Sequence, residues 1–314
     1  MAFPTPAVTT TTAATFIPEI WSDEIVAAYK KNLVLANIVN KMNFKGKKGD
    51  TVHIPAPTRG SASAKAASTA VTLIAATETE VQIAIDKHYE YSRLIEDIVE
   101  AQALNSLRQF YTADAGYALA KQVDTDLIRL GRISNGGVVG TSDYATSATS
   151  TNAFIGSNGT TVYNSSSSNA AALTDAAIRR TIQRLDDQDV PMDNRFFIVP
   201  PSSRNTLMGL ARFTEQAFVG EQGANNTIRN GQIGDVYGIQ VFVSTNADTA
   251  AGTSGTDRIA LMGHKDAYVL VEQQGVRAQT QYKQEYLGTL FTADTLYGVA
   301  ELRDYASVAL AVPA

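Results

Sequence analysis

The chain begins its ordered pattern at Pro18, a residue suited to the first turn of a helix, and Trp21, Ile25, Tyr29 and Leu33 then recur every four positions. Ile38 and Val39 continue that stripe, which predicts a helix ending near Asn43. Residues 44–88 change to period two: Thr51-Val-His-Ile54 and Val81-Gln-Ile-Ala-Ile85 alternate polar and apolar side chains, as half-buried strands do. The stretch between them, Thr58-Arg-Gly-Ser-Ala-Ser-Ala-Lys65 followed by Ala/Thr-rich sequence, predicts the small-residue tip of a long hairpin. An ascending arm running straight from Thr51 to Ser68 would reach roughly 50 Å. From Ser92 to Arg129 the period is helical again, through Leu94, Ile95, Ile98, Val99, Leu104, Leu107, Tyr111, Val123, Leu127 and Ile128. Ser92 is the expected N-cap, Glu96, Asp97 and Glu100 suit the positive end of the dipole, Arg129 and Arg132 the negative end, and Gly131 a stop. Such a helix would be roughly 55 Å long.

Residues 134–171, rich in Gly, Ser, Thr and Asn, read as surface loop with a short hairpin around Phe154 or Val162. An α/β pattern follows: a helix from Thr174 through Leu185, the apolar strand Arg195-Phe-Phe-Ile-Val199, and a helix opened by Pro200-Pro201 and running to about Phe213. Short strands are expected at 240–244, 258–262, 267–271, 295–300 and 307–311. Residues 1–16, a Thr/Ala/Pro tail without periodicity, are expected to be disordered alone or extended along something else.

Composition narrows the function classes. Of 314 residues 44% are apolar, but only 18% are charged, below the ~25% usual for soluble domains, so much of the surface is neutral hydroxyl and amide. A net charge of -5 argues against a protein that grips nucleic acid over its whole surface. The absence of cysteine removes disulfides, thiolate metal sites and thiol nucleophiles. No apolar run is long enough for a helical membrane span, and the opening residues have neither the basic nor the apolar part of a secretion signal.

Catalytic motifs are wanting. The three histidines, His53, His88 and His264, are far apart and read as two strand residues and one loop residue. Gly46-Lys47-Lys48-Gly49 has the wrong order for a phosphate loop, and Asp186-Asp187-Gln188-Asp189 lacks the glycine and closing Glu of a calcium loop, so it reads as a solvated helix end. The sequons at Asn158, Asn164 and Asn225 carry little weight in so Ser/Thr-rich a chain. No catalytic residue, cofactor or metal is expected.

The hairpin is the physical anomaly. Two strands with a tip of Ser, Ala, Gly and Lys form no core of their own, and isolated hairpins are marginal in water. Either the chain's own domain lies against it or another molecule does. Residues 41–65 carry six cations (Lys41, Lys45, Lys47, Lys48, Arg59 and Lys65) against one acid, Asp50. Residues 86–129 carry eight acids against five cations. A basic arm beside an acidic rod suggests a head-to-tail contact between copies, of the kind that builds rings and shells. The contact residues expected are Lys45, Lys47, Lys48, Arg59 and Lys65 on the hairpin and Glu96, Asp97 and Glu100 on the helix. Two solvated faces that never meet are the alternative.

Several stretches together resemble tailed-bacteriophage major capsid proteins. They are Phe16-Ile-Pro-Glu-Ile-Trp-Ser22, Lys31-Asn-Leu-Val34, Gly49-Asp-Thr-Val-His-Ile54, Ile95-Glu-Asp-Ile-Val-Glu-Ala-Gln102, Val190-Pro191 before the Phe-Phe-Ile-Val-Pro strand, and Asn230-Gly-Gln-Ile-Gly-Asp-Val-Tyr-Gly-Ile239. The resemblance implies an α+β fold: an N-terminal arm with first helix (1–42), an extended hairpin loop (43–88), and a peripheral domain with a long spine helix (89–132) and closing strands (276–314). An axial α/β domain (172–275) and a Gly/Ser/Thr-rich insertion (133–171) complete it. It further implies pentamers and hexamers of this chain closing an icosahedral shell around double-stranded DNA held non-specifically, in a virion assembled in the host cytoplasm. A separate scaffolding protein and a portal are the implied partners, a decoration protein is a further candidate, and no membrane is involved. Some members cross-link a hairpin lysine to a neighbour's asparagine; Lys47, Lys48 and Lys65 are available, but no partner is identifiable and no cross-link is expected. An encapsulin-type shell around cargo protein, a soluble enzyme whose site assembles on folding, and an adhesin or decoration protein are the alternatives.

Overall fold

The computed structural model describes residues 34–46, 48–56, 60–71, 73, 78–102, 107–135, 144, 152–165, 167–210, 235–252 and 255–314. Its first half runs α1 (Leu35–Ile38), β1 (Asn40–Asn43), β2 (Thr51–Ala56), β3 (Thr79–Ala84), β4 (Lys87–Glu96), α2 (Asp97–Gln102), α3 (Leu107–Arg129) and β5 (Ala153–Ile155). The second half runs α4 (Asp175–Asp187), β6 (Arg195–Val199), α5 (Pro201–Met208), β7 (Asp235–Val236), β8 (Ile239–Val243), β9 (Thr249–Gly252), β10 (Gly255–His264), β11 (Tyr268–Lys283), β12 (Gly288–Glu301) and β13 (Ser307–Val312).

These strands make two sheets and a separate ribbon. A seven-stranded sheet is ordered β5-β13-β10-β6-β8-β7, with β9 also on β10. Its centre is apolar by composition: Phe196, Phe197, Ile198 and Val199 of β6 and Val308 to Val312 of β13 are all buried, each large side chain contributing about 1.5–3 kcal/mol of transfer free energy. α4 covers one face with Ala177, Ile178 and Leu185. Thr174 caps that helix, its Oγ1 accepting from Ala177 N at 3.3 Å. A four-stranded sheet, β1-β11-β12-β4, is built on the long antiparallel pair β11–β12, and α3 lies across it with Ala115 and Leu119 against Phe291 and Ala293. The ribbon is β2 paired with β3, from Thr51 opposite Ala84 to Ala56 opposite Thr79.

Several expectations are corrected. No helix starts at Ser92, because Lys87–Glu96 is strand β4, zipped antiparallel to β12. Tyr89, Tyr91 and Ile95 turn inward while His88, Glu90, Ser92 and Leu94 turn out, a period of two that the neighbouring apolar pair Ile98 and Val99 disguises as a helical stripe. The long helix is therefore the 23-residue α3, about 35 Å rather than 55 Å. The first helix does not reach Asn43: Asn40–Asn43 runs parallel to β11 from Asn40 opposite Val269, and the part of that helix expected before residue 34 lies outside the described residues, as does the 1–16 tail. The ascending hairpin strand stops at Ala56, and residues 60–66 have no regular structure. Residues 307–312, expected among the closing strands of the peripheral domain, pair with β10 and β5 in the seven-stranded sheet. His264 ends strand β10 instead of lying in a loop.

Where short strands were expected at 267–271 and 295–300, β11 and β12 run for 16 and 14 residues; other elements match the pattern in place. Phe154 bridges Val162 in the short hairpin expected there, α3 ends at Arg129 before a tight turn through Gly131, and β6 is fully buried. α5 begins at Pro201 as expected but ends at Met208 with Gly209 as its C-cap, short of the expected Phe213; residues 211–234 lie outside the described residues. Asp186 to Asp189 lie exposed at the end of α4 as expected, and Asp186 also accepts from the buried Arg195 guanidinium at 2.7 Å.

Candidate intersubunit surface

The root of the hairpin is fixed to the four-stranded sheet by packing and by close backbone approach. Ile83 and Ile85 join Val269 and Val271 in a small apolar cluster, flanked by Val52, Ile54, Phe44 and Leu296. Ile85 N donates to Asp50 O at 2.7 Å, and Gln273 Nε2 donates to Gly49 O at 2.9 Å. The chain turns into β2 through Gly46 (φ +80°) and Gly49 (φ +140°), left-handed conformations that favour glycine. A Cβ at Gly298 on β12 would stand 2.4 Å from Ala84 O, so only glycine lets the hairpin seat there.

Beyond Ala56 the described part of the arm keeps a local turn, Thr69 Oγ1 donating to Ala66 O at 2.7 Å, and is otherwise open to solvent. Residues 60–71 and Leu73 are all exposed, including the apolar side chains Val71 at 66% and Leu73 at 87%. Along the ribbon, His53 Nδ1 meets Glu80 Oε2 at 3.1 Å, and the Gln82 amide and His53 together hold the Glu80 carboxyl below its usual range.

The basic residues predicted for this surface separate. Lys45 Nζ approaches Glu272 Oε2 of its own β11 at 3.8 Å, both half-exposed. Lys48 lines a cleft of about 290 Å³ with Phe44, Val52, His53, Ile85 and Gln273 at the hairpin root. Lys65 is exposed on the irregular tip. Lys47 and Arg59 lie outside the described residues.

The acids separate too, which corrects their placement on a spine helix. Glu96 is the exposed last residue of β4, and Asp97 opens α2 and accepts from Tyr282 Oη at 2.7 Å. Glu100 is in α2. Of the acids on α3, Asp124 is buried and accepts from Val34 N, Ala36 N and Asn246 Nδ2 at 3.2, 3.1 and 2.9 Å. Asp126, also buried, accepts from Tyr297 Oη at 2.8 Å and lies 3.9 Å from Lys87 Nζ. The negative charge counted along the rod is therefore partly internal to the fold. Glu96 faces Gly288, at the opposite end of β12 from Gly298 where the hairpin sits. Ten strand residues separate the two points, about 33 Å.

What the sequence reading missed is an apolar patch at that far end. Leu94, Ile98, Val99, Tyr282, Tyr286 and Leu287 are all exposed, from 41% at Leu94 to 66% at Leu287. They belong to the end of β4, to α2 and to the β11–β12 turn, which Asp97 N ties together by donating to Leu287 O at 3.0 Å. Leu94, Ile98 and Val99 had signalled a helical core; their non-burial is visible only once β4 is paired.

The phage capsid protein family model matches residues 78–310, about three-quarters of the chain. The chain belongs to that family. No curated protein sequence matches it. Among solved structures, a chain of Mycobacterium phage Che8 is 22% identical, with 94% of this chain and 97% of that one covered at a TM-score of 0.73. The capsid of cyanophage P-SCSP1u is 20% identical over 96% and 94%, with a TM-score of 0.71. The capsid of the native GTA particle computed with C5 symmetry is 12% identical over 98% and 100%, with a TM-score of 0.63. The chain thus has the phage capsid fold, the matched structures covering 94–98% of it. The family is one of structural shell proteins, which assigns this chain to a virion.

Proposed function

We propose that this chain is the major shell subunit of a tailed phage, a protein without enzymatic activity that closes through pentamers and hexamers into an icosahedral capsid around double-stranded DNA. The observation that carries this reading is the hairpin arm: rooted by Gly298 and the Ile83 cluster, it extends into a tip whose described residues are all exposed. Exposed Val71 and Leu73 need a surface, and the apolar end of the four-stranded sheet offers one on another copy.

In this reading residues 1–42 are an arm, 43–88 the extended loop, 89–132 with β11 and β12 the peripheral domain, 133–171 an insertion, and 172–267 joined by β13 the axial domain, so that β11 moves out of the axial 172–275 expected from the sequence. Lys45, Lys47, Lys48, Arg59 and Lys65 orient the loop toward Glu96, Asp97 and Glu100 of a neighbour, since one subunit holds its hairpin root and those acids at opposite ends of β12. Exposed ion pairs contribute about 0–1 kcal/mol each, so charge directs the contact and apolar burial holds it. A scaffolding protein, a portal and in some particles a decoration protein complete assembly in the host cytoplasm, and the DNA is contacted without sequence preference.

Electron microscopy of the expressed chain, with and without its scaffolding partner, tests the proposal. Closed shells are expected from the intact chain, and none from a variant lacking residues 60–71 whose unfolding free energy stays within about 0.5 kcal/mol of the parent. Shells that form without the tip would sink the role given to the arm, a monomer that never assembles would sink the shell, and particles that enclose protein in place of nucleic acid would make it a nanocompartment.

A further inference from the structure

Where the chain crosses from the four-stranded to the seven-stranded sheet, three buried hydroxyls form a closed triangle. Ser307 Oγ donates to Ser134 Oγ at 2.6 Å, Ser134 Oγ lies 2.6 Å from Tyr268 Oη, and Tyr268 Oη lies 2.7 Å from Ser307 Oγ. Ser134 follows α3, Tyr268 opens β11 and Ser307 opens β13, so the triangle ties the long helix to both sheets. Glu301, the last residue of β12, stands opposite Tyr268 in the ladder. Its carboxyl reaches the Ser134 hydroxyl, while Oε1 is closed off from solvent and meets no donor among the described residues.

The hydrogens can be counted. Three hydroxyls bring three hydrogens, and the three edges of the triangle use them all. Ser134 Oγ also lies 3.2 Å from Leu130 O, a further acceptor for the same hydrogen. A carboxylate beside this triangle must compete with Tyr268 Oη and Leu130 O for the single Ser134 hydrogen, whereas a carboxylic acid supplies its own. Among the described residues the groups facing Glu301 are Ser134 from the turn after α3, Tyr268 opposite it on β11 and Asp304, of like charge, from the turn into β13, with Ser307 of β13 bonded to the first two. Farther behind Tyr268, Arg132 is already engaged by Asp248 at 2.7 Å, where Tyr144 Oη also donates.

We propose that Glu301 is a proton-operated lock on the joint between the two sheets: uncharged, it completes the polar cluster that holds β12, β13 and the end of α3 together, and its ionisation loosens that joint. Burial, reinforced by Asp304, pushes the carboxyl up to about 8 from its ordinary 4.5. Because the folded chain holds this proton more tightly than the unfolded one, stability falls as pH rises from about 4.5 to about 8 and is level on either side.

The test compares wild type with Glu301→Gln, which keeps the shape and removes the proton. Urea unfolding of the unassembled subunit between pH 6 and 9 should show a fall in the folded-to-unfolded ratio of up to about tenfold per pH unit in wild type, absent from Glu301→Gln once the other groups' common trend is subtracted. Hydrogen exchange, corrected for intrinsic rates, should show the amides of Asn135 and Leu302, which donate to Asp304 O and Ala267 O across the joint, losing protection with pH in wild type alone. Parallel pH profiles, or loss of protection spread evenly over both sheets, would overturn the proposal. If Glu301→Gln fails to fold, infrared difference spectroscopy of wild type decides: a buried protonated-carboxyl band at pH 6 that vanishes at pH 9 supports the lock, and no such band refutes it. Failure here leaves the shell reading untouched, because neither measurement involves assembly.

Discussion

Two parts of this subunit satisfy their polar groups in opposite ways. Around α3 the acids lie inside and are matched by donors from distant segments: Asp124 takes two backbone amides and an asparagine, Asp126 a tyrosine, and Asp248 the fork of Arg132. Along the hairpin the charged groups lie outside and pair with near neighbours or with water, and the tip carries apolar side chains exposed to solvent. The body is thus a finished fold, while the arm is folded only at its root. A chain that invests its buried polar chemistry in one rigid block and leaves a projecting ribbon uncovered is arranged to be completed by a second molecule.

The sharpest way to break this contrast is at Asp124. Asp124→Leu would orphan Val34 N, Ala36 N and Asn246 Nδ2 in a closed site, with an expected loss of about 3–5 kcal/mol in urea unfolding of the unassembled subunit. A loss under about 1 kcal/mol would mean that the polar block is not what finishes the body. Next in size is Gly298→Val, which forces the hairpin base off β12 because the Cβ meets Ala84 O at 2.4 Å. Overpacking of this kind costs about 1–3 kcal/mol, and closed particles should disappear by electron microscopy under conditions where the variant remains folded by circular dichroism. Unchanged particles would show that the arm does not depend on this seat.

How much of this was legible beforehand follows from where the decisive information lies. β6 could be read directly because Phe-Phe-Ile-Val is buried on both faces whatever its partners, and the Thr174 cap because it depends on the next turn alone. The hairpin could be placed from its alternation, but not its length: nothing local distinguishes a small-residue strand from the irregular tip at 60–66. β4 was misread because Ile95, Ile98 and Val99 satisfy a helical period, and only pairing with β12, some 200 residues later, decides for a strand. Of the candidate surface, the hairpin's exposure was foreseeable from its composition. The internal roles of Asp124 and Asp126 were not, since charge counting treats every acid as if it faced water.

The smallest expected effect concerns Lys45, and it separates the two parts most finely. Among the described residues its ion-pair partner is Glu272 of its own subunit, at 3.8 Å with both side chains substantially exposed, so Lys45→Glu should change the unfolding free energy by no more than about 1 kcal/mol. If the lysine also orients the loop toward a neighbour's acids, shell yield from Lys45→Glu should drop by a larger factor than this stability change accounts for, and the drop should shrink as salt is raised and screening shortens the reach of charge. Light scattering at two ionic strengths reads both. A yield that tracks stability alone would confine Lys45 to its own subunit, leaving Lys48 at the root cleft and Lys65 at the tip as the described cations able to steer assembly.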